Sequence, residues 1–497
     1  MTVLVDRYDA LDLGLYRRIV LDGERVEVDE SLDERVAAGR EAFDRLVAEG
    51  ASLYGVTTGL GYLTDRPIGP GDQAALQRSL LTARASGLGA PLPEDVVRGA
   101  MLLRLTGFLS GYAGVTPDLC RFLVERLNDG WRPVVPAGPF GAAGEISPLA
   151  HLFQTFVGEG FVREGDETVT ASDALARRRV APYEPQPKEG AALLNGSPFA
   201  TALGVHLCDR ARAALEHADL SAALAITLVG ASTRPYSRRI GELARDMSQL
   251  RVHERLQELL AGGPAFEDKL QAPASFRVVP QVHAAVLEQL DTFEARLERG
   301  LRAVTDGPLV LPADRDEPEG AYPSGGFHAV AVAVALDGLA IGVSHLTNLV
   351  EKRLHRLLDA RFSGLPDQLA VDPGRQAGVI SLHKAVVGLA VENRLLAAPA
   401  SVHASDTSTG QEDVQAFEFL AADELRRGLD NLELALACEL VALRQGYHLR
   451  GEVPSAPLLA RALDRVKAEV EPVIEDRTLS EDVERVREAL RSGCLLG

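Results

Sequence analysis

Cysteine, tryptophan and methionine are scarce in this sequence of 497 residues, which has four cysteines, one tryptophan and three methionines. The cysteines lie far apart and form neither a metal-ligand spacing nor a disulfide framework, a usage typical of a reducing compartment. Apolar runs of the roughly 18 residues that a membrane span requires are also missing. The first residues also lack the basic segment followed by an apolar segment that is typical of a signal peptide. We therefore expect a soluble, cytoplasmic protein without a metal site.

Positive charge is the second shortage. Lysine and arginine together number 52, against 71 aspartates and glutamates, which gives a net charge of -19. Proteins that bind nucleic acids need basic faces for the phosphates, so this balance argues against a nucleic-acid partner. What remains is an ordinary globular composition, with 46% hydrophobic and 25% charged residues, in a chain longer than one compact core normally uses.

Long segments rich in alanine and leucine, and nearly free of internal proline, dominate the second part of the chain. Such segments are typical of buried or bundled helices. They are Pro198–Gly230, Ser237–Leu260, Val282–Val304, Gly325–Leu358, Gly378–Leu396 and Val414–Gln445. Helices of this length extend over roughly 40 Å. Because their apolar faces bury best against neighbouring subunits, we predict an oligomer.

Shorter elements precede this bundle. Alternating apolar and polar residues over Leu15–Val28 indicate a pair of short strands, and helical spacing follows, for example at Glu94–Leu109. The sequence thus predicts a mainly α fold with two domains. The first is a small loop-rich N-terminal domain over residues 1–195, and the second is a long helical bundle with C-terminal helices over residues 196–497.

Glycines crowd one loop, at residues 138, 141 and 144, directly before a helical segment that begins near Pro148. Glycine lets the backbone adopt positive φ and lets other groups approach closely. A helix N-terminus adds unpaired N–H groups and a positive dipole end. From these residues alone two interpretations stay open: a tight loop that enters a buried helix, or a site for an anionic or electron-rich ligand.

Residues Gly141–His151 resemble a family signature that reads Gly-Ala-Ser-Gly-Asp-Leu-x-Pro-Leu-Ala-His. It belongs to the aromatic amino acid ammonia-lyases and aminomutases, which include histidine, phenylalanine and tyrosine ammonia-lyases. The resemblance implies a long-helix bundle of the ammonia-lyase (fumarase/aspartase-like) type, a homotetramer, and a lyase or isomerase. In that family the Ala-Ser-Gly triplet cyclises to the electrophile 4-methylidene-imidazol-5-one (MIO).

The corresponding triplet here is Ala142, Ala143 and Gly144, so the family's serine is missing. The nitrogen of Gly144 can still attack the carbonyl of Ala142 to close a ring. The methylidene, however, comes from loss of the serine β-hydroxyl as water, and Ala143 has no such leaving group. We therefore expect that MIO does not form by the family route, and we expect no cofactor.

A second glycine-rich loop, residues 54–61, reads Tyr-Gly-Val-Thr-Thr-Gly-Leu-Gly and matches the family's Tyr-Gly-Val-x-Thr-Gly-Phe-Gly. The resemblance implies that Tyr54 is the base that removes the substrate's β-proton. A loop tyrosine is more often a packing residue, which is the alternative interpretation.

Further motifs follow in the family's order and imply substrate contacts. Asn195 ends a segment that matches Lys-Glu-Gly-Leu-Ala-Leu-Ile-Asn-Gly, in which the asparagine contacts the cofactor or the substrate carboxylate. An asparagine at this position also suits a helix cap. Arg277 is kept in a later motif, where a guanidinium suits a bidentate grip on a carboxylate. The aspartate and tyrosine of that motif are replaced by Ala272 and Ala274.

Phe327 is expected to wall the pocket. Gln411 and Glu412 match the family's Gln-Glu-Asp, with Glu412 facing the substrate amino group. Asparagines that the family carries in two nearby motifs are replaced by Gly307 and Gly326.

Ala83 and Arg84 lie where members of the family sort histidine, phenylalanine and tyrosine by side chain. Aromatic-selective members place His or Phe, or a Ser-His pair, at these positions. A small residue followed by a guanidinium predicts an amino-acid-like substrate that is bulkier, or anionic at its far end.

Three functions remain open. The first is a MIO-less homologue that uses Tyr54 for elimination, addition, cyclisation or isomerisation. The second is an ordinary MIO-dependent ammonia-lyase or aminomutase that carries a Ser-to-Ala change at Ala143. The third is a non-catalytic relative that binds a ligand or a partner. The several lost motif residues favour divergence over a single exchange, and the retention of Tyr54, Arg277 and Glu412 favours a working pocket.

Overall fold

The computed structural model describes residues 1–138, 141–264 and 271–495. Pro139 and Phe140, which belong to the glycine-crowded loop, lie outside these residues. The chain divides into two compact units, each assembled from three separate stretches. The first unit comprises Met1–His206, Glu294–Val334 and Ala400–Ala422, and the second comprises Leu207–Phe293, Ala335–Pro399 and Asp423–Gly497. The two-domain division at residues 195 and 196 stays a prediction.

Helices form most of the described chain. Those up to residue 229 are α1 (Leu13–Val20), α2 (Glu30–Ala48), α3 (Gln73–Ala83), α4 (Glu94–Leu109), α5 (Pro117–Asn128), α6 (Ile146–Phe153), α7 (Ala171–Arg177), α8 (Glu189–Leu193) and α9 (Pro198–Val229). Those that follow are α10 (Arg238–Ala244), α11 (Met247–Leu260), α12 (Ala274–Arg277), α13 (Val279–Leu301), α14 (Val330–Leu357), α15 (Ala360–Ser363), α16 (Ile380–Leu396), α17 (Glu418–Arg450), α18 (Pro457–Glu469) and α19 (Ser480–Arg491).

The strands of the described chain are short and form two-stranded sheets. They are β1 (Thr2–Val5), β2 (Arg25–Val28), β3 (Phe161–Glu164), β4 (Glu167–Thr170), β5 (Leu309–Leu311) and β6 (Gly320–Tyr322). Strands β1 and β2 pair in parallel, with Thr2 opposite Arg25, whereas β3 with β4 and β5 with β6 are antiparallel. The prediction of a mainly α fold is confirmed.

Two local predictions are wrong. Residues Leu15–Val28 are not a strand pair, because their first part belongs to α1, whose N-cap Asp12 accepts a hydrogen bond of 2.7 Å from the backbone of Leu15. Over so short a segment the alternation of apolar residues also fits a helical face, and the capping side chain favours the helix. The helix predicted over Ser237–Leu260 is interrupted, since Arg245 has a φ of 55° and ends α10.

Helix α4 is the centre of the first unit's core. From Val96 to its end every residue except Arg98 is buried, and α1, α2 and α5 pack around it. This all-round burial explains why α4 has apolar residues on every side, since a helix surrounded by protein needs no polar face.

The second unit contains a buried ion pair. Arg353 on α14 donates two hydrogen bonds of 2.8 Å each to Glu439 on α17, and Ser221 on α9 donates a third, of 2.7 Å, to the same carboxylate. Arg353 and Glu439 are both fully buried. The bidentate geometry satisfies the carboxylate where water cannot reach it.

Two helical segments, Val330–Leu357 and Ile380–Val402, are long and apolar enough to cross a membrane by length and composition alone. Core helices of soluble proteins pass the same test, and 61% of the apolar window of the first segment is buried inside the protein.

Candidate active site

A cavity of about 430 Å³ lies within the first unit. It brings together predicted site residues from six separate stretches of the chain. These are Tyr54, Arg84, Ala143, Gly144, Asn195, Phe327, Gln411 and Glu412. The remaining lining residues are Leu60, Gly61, Thr64, Ile146, Ala191, Leu194, Gly307, Pro308, Pro323 and Ser324.

The glycine-crowded loop forms one wall through Ala143 and Gly144, directly before α6. Gly144 lies against the side chain of Phe327. A Cβ atom added to this glycine would lie only 3.1 Å from the Cβ of Phe327. Glycine at 144 therefore permits the close approach of the aromatic wall.

Glu145 anchors the same loop. This residue is 1% exposed, and its carboxylate accepts hydrogen bonds of 2.6 Å from the backbone N–H groups of Phe199 and Ala200 at the start of α9. Burial, together with nearby Glu418, raises the pKa of Glu145 well above its usual range, and the two N–H donors oppose that rise. The carboxylate thus fixes the position of the loop against a helix N-terminus.

Tyr54 enters the cavity from a turn that its own loop stabilises. The hydroxyl of Thr57 accepts a hydrogen bond of 2.7 Å from the backbone of Leu53. The phenolic oxygen of Tyr54 accepts a hydrogen bond of 2.7 Å from the N–H of Gly61, which has a φ of 60°. This contact holds the phenol in its position at the cavity wall.

Glu412 lies opposite the glycine-crowded loop and bonds to it. Its Oε2 accepts a hydrogen bond of 3.0 Å from the backbone N–H of Ala143, and its Oε1 accepts one of 2.8 Å from the hydroxyl of Ser408. The pair Thr407 and Glu412 also closes a backbone bridge of 3.0 Å. Glu412 is therefore held in place by two segments of the chain.

Arg84 follows the last residue of α3 and is the cation of the cavity wall. Its guanidinium makes no hydrogen bond or ion pair with any residue that the structure describes. Burial lowers the pKa of its guanidinium, and the neighbouring Tyr54 and Glu412 oppose that shift. An arginine remains charged under such a shift, so the cavity contains a partly buried positive charge that is free to bind a ligand.

Asn195 uses both ends of its amide. Its Nδ2 donates a hydrogen bond of 2.7 Å to the carbonyl of Gly307, and its Oδ1 accepts one of 2.9 Å from the N–H of Gly196. This arrangement orients the side chain and ties two segments of the wall together. It does not cap α9 by contacting that helix's first N–H groups, which bond to Glu145 instead.

A group of buried charges lies behind this wall, and of its members Arg104 belongs to no motif that the sequence analysis identified. Lys188 and Arg104 lie 3.7 Å and 3.9 Å from one oxygen of Asp306, and all three are almost completely buried. Burial lowers the pKa of the Lys188 amine, and Asp306 opposes the shift. Thr64 is a further lining residue that no motif marked.

Three predicted residues do not line the cavity. Ala83 is exposed at the end of α3, and Ala142 is not among the described residues that line the cavity. Arg277 belongs to the second unit, where its Nε donates a hydrogen bond of 2.7 Å to the carbonyl of Ala272. Their roles in binding stay predictions.

The fold and the residues around the cavity are those of a mainly α-helical lyase scaffold. A family model described as aromatic amino acid lyase matches residues 11–468. The chain belongs to this family. The predicted family is therefore confirmed.

Individual relatives agree. A histidine ammonia-lyase from Geobacillus thermodenitrificans is 35% identical over 484 residues, which cover 96% of this chain and 95% of the relative. The crystal structure of histidine ammonia-lyase from Trypanosoma cruzi superposes with a TM-score of 0.90 at 29% identity, covering 100% of this chain and 94% of that one. The crystal structure of tyrosine aminomutase from Streptomyces globisporus superposes with a TM-score of 0.92 at 28% identity, covering 100% of this chain and 98% of that one. The prediction of an enzyme family of lyase and isomerase type is thus confirmed.

Proposed function

We propose that this protein is a MIO-less member of its family, acting on an amino-acid-like substrate with Tyr54 as the base. The observation that carries the proposal is the alanine side chain of Ala143 in the wall of the cavity that Tyr54 also lines. Members of the family normally form MIO autocatalytically. A methyl side chain has no hydroxyl to lose, so the residues of this loop do not fit that cofactor.

An uncyclised loop keeps the backbone N–H of Ala143 as a hydrogen-bond donor in the cavity wall. Cyclisation would turn the amide nitrogen of residue 143 into a ring nitrogen without hydrogen. Here that N–H donates to Glu412 at 3.0 Å. The open loop therefore contributes an amide donor that orients a carboxylate of the cavity.

The surroundings of Tyr54 suit a base. The N–H of Gly61 donates to its phenolic oxygen, and the charge of Arg84 lies close enough to interact with it. A backbone donor and a cation thus neighbour the oxygen atom that is proposed to take the β-proton. When the phenolate takes the β-proton, the electrons of the C–H bond form the new double bond and the leaving group departs with its own pair.

Charge complementarity indicates the substrate class. Arg84 offers a guanidinium to an anionic group at the far end of the substrate, and Glu412 offers a carboxylate to its amino group. Since no electrophile activates the amine, an elimination here requires a leaving group better than ammonia. Addition, cyclisation and isomerisation at the same carbon atoms are the other reactions that the base permits. Arg277 stays the proposed partner of the substrate carboxylate.

We also propose a cytoplasmic homotetramer. Val387, Val391 and Leu395 on α16 follow a spacing of four residues, which places them on one face, and they are 40%, 46% and 72% exposed. An apolar stripe of this kind is typical of a face covered by another subunit. Light scattering coupled to size-exclusion chromatography tests the proposal, with a tetramer expected and a monomer contradicting it.

The function is tested by incubating the protein with a pool of amino acids and related carboxylated compounds and following products by mass. We expect turnover of a substrate with an acidic group, and none with Tyr54→Phe. Preference for neutral aromatic amino acids would contradict the role of Arg84. Binding without turnover of any compound would favour the non-catalytic relative.

A second candidate is the ordinary MIO-dependent reaction with a changed serine, favoured by the identity to histidine ammonia-lyases. Its test is Ala143→Ser. If this variant shows the mass deficit that cyclisation and dehydration produce, and releases ammonia from histidine, the second candidate replaces the first. If the Ala143→Ser variant shows no such mass deficit, the MIO-less function stands.

A further inference from the structure

The second unit holds a group of side chains that the cavity does not use. Glu351 and His355 lie on α14, four residues apart, so they share one face of the helix. His383 projects from the first turn of α16 towards them. One ligand atom from each of these three residues lies within 4.8 Å of the other two. All three belong to the second unit.

The contacts inside this group are close. His383 Nε2 lies 2.9 Å from Glu351 Oε1. The rings of His355 and His383 are stacked, with centroids 4.8 Å apart and planes inclined by 18°. The nitrogen atoms of two imidazoles and a carboxylate oxygen therefore lie close enough together to face one ion.

We propose that Glu351, His355 and His383 form a binding site for a divalent transition-metal ion of borderline softness, such as Zn²⁺. Two imidazoles and one carboxylate are a donor set that Zn²⁺ takes in proteins, with a fourth position open to water. This site lies apart from the cavity residues in the chain and takes no part in the proposed reaction.

The geometry needs only a small adjustment. Zn–N and Zn–O bonds of about 2.0–2.2 Å in a tetrahedron place the donor atoms roughly 3.3 Å apart. Glu351 and His383 are already closer than that, and the exposed His355 can rotate inward. In the tautomer that carries its proton on Nδ1, His383 offers the Nε2 lone pair to the ion.

The carboxylate is well prepared for this role. Glu351 is 4% exposed, and Lys352 Nζ lies 2.6 Å from its Oε2. Oε1 can therefore bind the ion while Oε2 keeps the ammonium. A contact of this kind orients the ligand and is typical of metal sites whose ligands are held by neighbouring groups. His355, at the exposed edge, leaves a path for the ion from solvent.

The experiment uses the untagged full-length protein, stripped with a chelator and titrated with Zn²⁺ and, separately, with Co²⁺. We expect one tight equivalent per chain by calorimetry, and visible absorption bands of Co²⁺ in a site of low coordination number. His355→Gln and His383→Gln should each weaken binding by at least about tenfold. His345→Gln is the matched control, because His345 is exposed on the same helix, about 15 Å from His355 by the helical rise. The metal affinity of this variant should equal that of the unchanged protein.

Two results would overturn the proposal. One is an affinity that His355→Gln and His383→Gln leave unchanged, which would locate the ion elsewhere. The other is the lack of a tight equivalent in the unchanged protein, which would make the group an ion pair with a stacked histidine. Circular dichroism of each variant separates a lost ligand from a lost fold, and His355→Gln removes an exposed side chain that supports no core.

Discussion

Two arginines show how differently this molecule uses the same side chain. The guanidinium of Arg84, in the cavity of the first unit, makes no hydrogen bond or ion pair with the described residues. Arg353, in the second unit, donates two hydrogen bonds of 2.8 Å to Glu439, which also accepts one from Ser221. The buried pair is engaged in holding helices together, whereas the cavity arginine keeps its donors for a ligand.

The difference separates residues that stabilise the fold from residues that the fold leaves available. Breaking a buried pair leaves one charge without compensation, at a cost of several kcal/mol. Removing a charge that has no partner costs little stability and changes what the cavity binds. Each prediction below applies this distinction to one residue, and the effects are given from the largest to the smallest.

Tyr54→Phe should affect function far more than folding. Removal of the base is expected to lower turnover by at least about 100-fold. The free energy of unfolding should change by no more than about 1 kcal/mol, because only the hydrogen bond from Gly61 is lost. Product formation on the substrate found by screening and unfolding in urea measure the two effects. Tyr62→Phe is the control, since Tyr62 is 57% exposed in the same loop and does not line the cavity. Unchanged turnover in Tyr54→Phe would remove this residue from the mechanism.

Glu439→Gln should have the opposite profile. A neutral partner leaves the buried charge of Arg353 uncompensated, and we expect a loss of about 3–5 kcal/mol in the free energy of unfolding. The exposed pair of Arg45 and Glu319, at 3.0 Å, supplies the control. Glu319→Gln should cost about 1 kcal/mol or less, because solvent screens that pair. Equal losses in the two variants would mean that burial does not distinguish the pairs.

Arg84→Met should weaken binding of acidic ligands and leave the fold intact. A hydrogen bond to a charged group contributes roughly 1.5–3 kcal/mol, so affinity for a carboxylated ligand should fall by about 10-fold to 100-fold. Affinity for the neutral analogue should stay within about threefold, since that analogue makes no ion pair. Calorimetric titration of the variant and the unchanged protein with the carboxylated ligand and with its neutral analogue measures both affinities. A parallel loss for the neutral analogue would assign Arg84 to packing of the cavity wall.

Glu418 extends the comparison to a buried carboxylate that forms no ion pair with the residues the structure describes. Burial raises its pKa to about 7, so the folded state keeps a proton that the unfolded state releases near pH 4.5. Its contribution to stability is therefore fully present below that pH and declines as the pH rises to about 7. We expect the free energy of unfolding to decrease by about 3 kcal/mol over this range, as measured by thermal unfolding at each pH. Glu418→Gln should flatten the profile, while Glu41→Gln, at an exposed position, should keep it. An unchanged slope in Glu418→Gln would assign the pH dependence to other groups.

Local sequence patterns predicted most of the helical architecture. Helix α4 begins at Glu94 and ends at Leu109, as the spacing indicated, because an apolar run flanked by proline and a loop permits few alternatives. The patterns failed where tertiary context decides the conformation. Arg245 adopts a positive φ that no turn residue announced, and Pro457–Glu469 forms a helix that the periodicity did not single out.

The sequence by itself determined the family, the helical fold and the missing hydroxyl of Ala143, because each depends on residue identity and local order. Only the tertiary structure decided that the N–H of Ala143 meets Glu412, 269 residues away, that Arg84 lies beside Tyr54, and that Lys188 and Arg104 share Asp306. It also decided that His383 joins Glu351 and His355. Distances between remote segments follow from how the whole chain packs its apolar faces, and no local pattern encodes them.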